Sequence, residues 1–150
     1  FLGICIGLQM LFEASEEGDT PGLALLPGRV RRFPAESMTD SRGARLKVPH
    51  MGWNEVRQTV EHPLWRGIAQ GSRFYFVHSY FPVPGRGELT AGESIYGVPF
   101  TCAAARGNVF AVQFHPEKSA AAGLKLLANF VQWQPAAQRA TRRAAASPAA

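Results

Sequence analysis

The chain has 150 residues, 46% of them hydrophobic and 18% charged, enough for one compact domain with its own core and too little for two ordinary ones. With 15 Gly and 11 Pro in sequence of ordinary complexity, it is not collagen-like, not a coiled coil and not wholly disordered. Three units of the formal +5 charge come from Arg139, Arg142 and Arg143 in an acid-free Ala/Arg/Pro stretch, 135–150, which reads as a disordered tail; no aromatic residues interleave there, so a nucleic-acid role is disfavoured.

Taken in chain order, residues 1–4 form a short apolar strand, followed by a glycine-bracketed Cys5. Leu8, Leu11, Phe12 and Ser15 then recur at helical spacing as far as Gly18. The apolar start could pass for a signal-peptide core, but it lacks a basic leader and a cleavage site. Beginning at Phe1, directly in a buried-type run, the chain reads as a fragment with something in front of it. A short basic strand is expected at 30–33, a turn-rich loop at 34–47 and a strand at 51–57. Residues 73–81, aromatic and β-branched, predict one strand, and 85–92 a loop. Residues 100–105 and 108–114 flank Arg106 and Gly107 as a hairpin. Ser119 is placed to cap a helix reaching about Trp133, with Leu124, Leu127 and Val131 as its buried stripe. Strands with helices at both ends predict a three-layer α/β domain over 1–134, its first strand central because it is apolar throughout.

Cys5 follows one expected strand and His115 another, and ligands in such sheets gather beyond the carboxyl ends of strands. Gly3-Ile4-Cys5-Ile6-Gly7 has the form of a nucleophile elbow with sulfur in place of a hydroxyl. Small residues two before and two after let the backbones approach, and the helix behind can lower the thiol pKa. A buried structural thiol is the commoner fate of a free cysteine. His115-Pro116-Glu117 tips the balance by supplying a base and, two residues on, a carboxylate to hold the imidazole. The 2 cysteines, Cys5 and Cys102, show no CxxC and no zinc-ligand spacing, so neither a disulfide scaffold nor a structural metal is expected, and a reducing, cytoplasmic compartment is.

An elbow of this type followed much later by His-Pro-Glu resembles the class I glutamine amidotransferases. Four segments, GICIGLQ (3–9), KVPHMGWNEV (47–56), FYFVHSY (74–80) and QFHPEKS (113–119), are similar to the glutaminase subunits of imidazole glycerol phosphate synthases, enzymes of histidine biosynthesis. The resemblance, from Phe1 to about Trp133, implies a flavodoxin-like three-layer α/β/α fold, incomplete at its N-terminus, and a Cys5-His115-Glu117 triad that hydrolyses glutamine without a cofactor. It implies that the Ile6 N–H serves the oxyanion hole, and that Gln9 and the His78-Ser79-Tyr80 backbone hold the substrate's amino-acid end. Lys118 would meet a (β/α)₈ cyclase subunit, which receives the ammonia and makes imidazole glycerol phosphate and an aminoimidazole carboxamide ribotide. Family members carry a glycine-rich oxyanion loop ahead of the elbow; without that donor a rate loss of about 10² to 10³ is expected.

His50, His62, Trp53, Trp65 and Trp133 read as structural, surface or interface residues, and Cys102 as inert. The basic strand Arg29, Arg31 and Arg32 reads as solvated charge or partner surface. Three other readings stay open: a different class I amidotransferase domain, a non-catalytic interaction module that keeps the elbow only as a fold element, and a cysteine hydrolase or protease of related architecture.

Overall fold

The computed structural model describes residues 1–135; the tail expected over 135–150 lies almost wholly outside the described residues. The first strand, β1 (Leu2–Ile4), runs into a single helical turn, α1 (Ile6–Gln9), then the short strands β2 (Ala14–Ser15) and β3 (Thr20–Pro21). The helix predicted to reach Gly18 therefore stops at Gln9. Leu8, Leu11 and Phe12 are buried as predicted, but the backbone folds outward after Phe12 so that β2 can lie parallel to β4 (Gly28–Arg32).

Strands β5 (His50–Glu55) and β6 (Arg57–Gln58) follow the turn-rich segment. The single strand expected over 73–81 divides at Ser79 into β7 (Arg73–His78) and β8 (Tyr80–Pro84). The halves serve different sheets, β7 pairing antiparallel with β5 and β8 with β4. Part of the loop expected at 85–92 is strand instead, because β9 (Thr90–Tyr96) begins there to pair with β10 (Val98–Arg106). The expected β10–β11 hairpin forms, but Arg106 pairs with Val109, so the turn is Gly107-Asn108 and not Arg106-Gly107, and β11 (Val109–Val112) stops short of Phe114.

Three sheets result. The largest has the order β1-β11-β10-β9-β6, with β1 parallel to β11 and the other pairs antiparallel; the second is β3-β2-β4-β8 and the third β5-β7. Among the described residues β1 is an edge strand, contrary to the central position expected from its apolar character. Leu2 and Ile4 are half-buried because they pack against the core beside β11, and no second strand flanks them.

The last helix, α2 (Ala120–Gln132), packs against β7 and the turns Pro63–Trp65 and Pro116–Lys118. Its buried face is Gly123, Leu126 and Asn129, not the predicted stripe. Leu124 is 65% and Val131 82% exposed, and Leu127 is only half-buried. The helix turns this way because Gly123 seats against the Pro116 carbonyl, where a Cβ would come within 1.9 Å of the oxygen. Asn129 reinforces the rotation by donating to the Leu64 and Arg66 carbonyls. The main core gathers Phe74, Phe76, Phe110, Phe114 and Leu126; a second, around Leu8, Phe12, Val30 and Ala111, lies behind the elbow.

Candidate active site

The parallel pairing of β1 with β11 brings Ile4 opposite Val112, so both strands end at the same rim. Cys5 leaves the first strand there, and Gln113, Phe114 and His115 leave the second. The Cys5 N–H donates to the Val112 carbonyl at 2.8 Å, tying the elbow to β11. Its backbone sits at φ 54° and ψ −108°, a left-handed conformation that L residues rarely adopt and that elbow nucleophiles do. Of the two flanking glycines, Gly3 is needed sterically, since a Cβ there would lie 2.8 Å from the Gly7 carbonyl oxygen and 2.9 Å from the Ala111 Cβ. A Cβ on Gly7 would meet nothing within 4 Å among the described residues, so the backbone approach needs a glycine at position 3 and not at position 7.

The sulfur is half-buried, and burial pushes its pKa above the ordinary thiol value, assisted by the charges of Glu117 and Glu17. Hydrogen bonds from the Ile6 backbone and the Gln113 side chain oppose the shift without overcoming it. The expected lowering by the helix behind the elbow is not realised, because α1 is a single turn and desolvation dominates. Cys5 is therefore a thiol near neutral pH and needs a base. Cys102, fully buried, is pushed up much further by the same cause, in keeping with an inert role.

His115 Nδ1 lies 2.6 Å from Glu117 Oε1. A carboxylate can only accept, so Nδ1 carries the proton and Nε2 presents a lone pair. The backbone beneath the ring is clamped: the His115 N–H donates to the Tyr75 carbonyl at 2.9 Å, and Ser119 Oγ accepts from the Tyr75 N–H while donating to the His115 carbonyl at 2.6 Å. Ser119, expected as a side-chain cap for α2, makes no such cap and ties His115 to β7 instead. The charge of Glu117 contributes to the raised pKa of the Cys5 thiol. No hydrogen bond joins Cys5 to His115 among the described residues; the side-chain contact to Sγ comes from Gln113 Nε2 at 3.8 Å.

Beside the elbow lies a cavity of about 260 Å³ lined by Ile6, Gln9, Met10, Glu17, Thr20 and Leu23, among others. Gln9 is buried rather than solvated, and its Nε2 donates to the Tyr80 carbonyl at 3.0 Å and to Gln113 Oε1 at 3.1 Å. The His78 ring lies inside the aromatic core against Phe33, Phe76 and Phe100, away from this cavity, and donates from Nδ1 to the Tyr80 carbonyl at 2.8 Å. Ser79 and Tyr80 are half-buried at the strand break, with the Ser79 carbonyl accepting from the Phe33 N–H. Lys118 is exposed on the turn that carries Glu117.

Among the residues expected to be structural, His50 is buried, and His62 accepts from the Leu64 N–H while packing on Phe110 and Trp133. Trp65 is core, and Trp53 is 45% exposed. The sequence marked Ser119 only as a cap and gave no individual role to Gln113, Glu17 or Asn54. Gln113 stands two residues before His115 in an alternating strand, the only sequence signal that could have marked it.

The described residues contain no helix long and apolar enough to cross a membrane. The family model for class I glutamine amidotransferases matches residues 1–133. The chain is 67% identical over 135 residues to the imidazole glycerol phosphate synthase subunit HisH of Thiobacillus denitrificans, covering 90% of this chain and 59% of that protein. It is 64% identical to the subunit of the same name from Nitrosospira multiformis, covering 90% and 63%. The chain thus spans about three fifths of the length of the curated relatives it matches. A glutamine amidotransferase of Thermotoga maritima superposes with a TM-score of 0.55 at 20% identity, over 88% of this chain and 46% of that one, a likeness of fold. The sulfur elbow, the imidazole–carboxylate couple at the same sheet rim, and a family match running from the first residue to the end of α2 converge on one conclusion: this chain belongs to the class I glutamine amidotransferase family.

Proposed function

We propose that the chain is the glutaminase part of an imidazole glycerol phosphate synthase, a cytoplasmic enzyme of histidine biosynthesis. The observation that carries this reading is the registered β1–β11 rim. There a Cys5 of positive φ leaves β1 while His115, held by Glu117 at 2.6 Å, follows three residues after the end of β11, the two strands being more than a hundred residues apart in sequence.

In this scheme Cys5 Sγ attacks the side-chain carboxamide carbon of glutamine while His115 Nε2 takes the thiol proton. The Ile6 N–H, which already points at the sulfur, donates to the developing oxyanion. Collapse of the tetrahedral species breaks the C–N bond, and His115 returns its proton to the departing ammonia. Water then attacks the glutamyl thioester with His115 again as base, giving glutamate and the free thiol. Glu117 keeps the ring in the tautomer that leaves Nε2 bare and steadies its charge when protonated.

The cavity beside the elbow suits the amino-acid end of the substrate. Gln9 commits its N–H groups to the protein and keeps an oxygen to accept with, and the Glu17 carboxylate on the cavity wall is a partner for an α-ammonium group. The Ser79-Tyr80 backbone, which the resemblance assigns to that end, does not line this cavity, and Tyr80 reaches it only through the hydrogen bond from Gln9. Ammonia released into water would be mostly protonated and lost as a nucleophile, so delivery to a neighbouring synthase subunit is the productive arrangement. We assign Lys118, exposed beside Glu117, to that interface with the cyclase.

The test is covalent trapping of Cys5 in the full-length protein with a glutamine-mimicking electrophile. One equivalent of label on Cys5, absent from Cys5→Ala and competed by glutamine, is the expected result. Labelling that glutamine does not compete would sink the assignment.

A further inference from the structure

Strand pairing of β5 with β7 sets His50 directly opposite His78 among the rings of Phe33, Phe76, Tyr96 and Phe100. His50 stacks between Tyr96 and Phe76 at centroid distances of 4.0 and 4.8 Å, and both histidines are almost wholly buried. Neither ring takes part in the chemistry above, yet every ring nitrogen has a partner. His78 Nδ1 lies 2.8 Å from the Tyr80 carbonyl, which can only accept, so this nitrogen bears the proton and Nε2 is bare. His50 Nδ1, 3.0 Å from that bare nitrogen, must donate to it. His50 Nε2 is then an acceptor, filled by Asn54 Nδ2 at 3.3 Å, and Asn54 also donates to the Ile95 carbonyl at 2.8 Å. Only neutral rings fit this sequence, and burial lowers His50 to about 3 and His78 to about 4.

The chain continues beyond Tyr80. Its carbonyl also accepts from Gln9 Nε2 at 3.0 Å, so the Gln9 amide cannot be flipped without setting oxygen against oxygen. The second Gln9 N–H donates to Gln113 Oε1 at 3.1 Å, which in turn forces Gln113 Nε2 toward the Cys5 sulfur, 3.8 Å away. Five side chains thus form two directed branches that meet at the Tyr80 carbonyl, one running through His78 and His50 to Asn54 and the other through Gln9 and Gln113 to the Cys5 sulfur; what the first branch can transmit to the second is the position of the shared carbonyl.

We propose that Asn54, His50 and His78 are positioning residues: they pin the Tyr80 carbonyl, which orients the Gln9 and Gln113 amides so that an N–H donor, and not a carbonyl oxygen, faces Cys5. The consequence for turnover rests on the glutaminase reading; the acidity of the sulfur reports on the relay whatever the substrate. The other groups that act on that sulfur are the Ile6 N–H from α1, Glu17 from the turn after β2, and Glu117 from the turn that follows His115.

The test compares His50→Phe, which keeps a ring between Phe76 and Tyr96 but makes neither hydrogen bond, with His50→Asn, which keeps an N–H near the Nδ1 position. Both are made in the full-length protein, with Cys5→Ala as the control that assigns alkylation to this thiol. The readouts are the pH midpoint of iodoacetamide alkylation and the glutamine KM. His50→Phe is expected to raise the midpoint by about one unit, as one lost donor to a thiolate does. It should raise KM about tenfold, while His50→Asn stays within about twofold of the parent. Should His50→Phe fail to fold, Asn54→Ala removes the outer donor and is read by the same midpoint, with the same direction of shift expected. A folded His50→Phe with parental midpoint and KM overturns the proposal, whatever its melting temperature, as does a His50→Asn displaced as far as His50→Phe. A parent that alkylates normally but does not turn over glutamine would remove the glutaminase reading and leave the relay measurable through the midpoint alone.

Discussion

A single desolvated sulfur decides how this site must work. Because burial raises the Cys5 pKa, the thiol is the resting form, and in the proposed mechanism proton transfer to His115 belongs to the attack. Alkylation of Cys5 is accordingly expected to accelerate with pH through a midpoint above that of a free cysteine; a midpoint below it would mean a preformed thiolate and a different first step. Glu117→Gln keeps an acceptor for Nδ1–H but removes the charge that steadies the imidazolium, and should lower kcat at least about tenfold with little change in KM. The buried histidines supply another residue-scale prediction. His50 and His78 titrate at about 3 and about 4 when folded and near 6.5 when unfolded. The unfolded chain therefore binds more protons below pH 6.5, and stability, complete above that value, should fall as pH drops from 6.5 toward 4. A chemical-denaturation series across this window measures it, and a flat response would contradict neutral burial of the pair. At this scale Cys5, His115 and Glu117 were legible because a glycine-bracketed cysteine and a His-x-Glu spacing are local signals. Gln113 and Ser119 were not, because their roles arise from partners 108 and 44 residues away, and Asn54 was not, because its neighbour His50 matters only through His78, 28 residues further on.

At the scale of elements, periodicity identified most strands and failed where tertiary pairing overrode it. The apolar residues 8, 11 and 12 suit a helical face, but their burial is met by one turn and a reversal that lets β2 join β4. The aromatic run 73–81 reads as one strand and serves as two, because the break at Ser79 turns the chain from β5 to β4. The last helix was placed correctly and rotated wrongly: its leucines alone could not reveal that Gly123 must meet the Pro116 carbonyl. That rotation can be measured. Leu126→Ala, fully buried, should cost about 2 to 5 kcal/mol in denaturant unfolding. Val131→Ala, 82% exposed, should stay within about 0.5 kcal/mol. Equal effects would mean that the helix presents another face. Gly123→Ala inserts a Cβ against the Pro116 carbonyl and should displace the turn that carries Glu117, lowering glutaminase turnover and costing about 1 to 3 kcal/mol in stability.

For the molecule as a whole, the site exists only because two distant strands lie parallel. Val112 could pair with many partners, and its pairing with Ile4 is what turns two separate motifs into one rim. If the chain works as part of a synthase, its glutaminase turnover should rise when the cyclase and its nucleotide ligand are added; equal rates with and without them would count against coupling. The amino-acid sequence by itself marked Cys5 as the candidate nucleophile and the His115-Glu117 couple as its candidate base, since each depends on residue type at short spacing. It also marked the hairpin, whose alternation is local, to within one residue of its turn. Only the tertiary structure decided that β1 lies at an edge among the described residues, that α2 buries Gly123, Leu126 and Asn129, that Ser119 clamps rather than caps, and that hydrogen bonds from Asn54 through His50 and His78 end at the Tyr80 carbonyl. These depend on which distant surfaces compete for the same backbone and core volume, a competition that no window of neighbouring residues records.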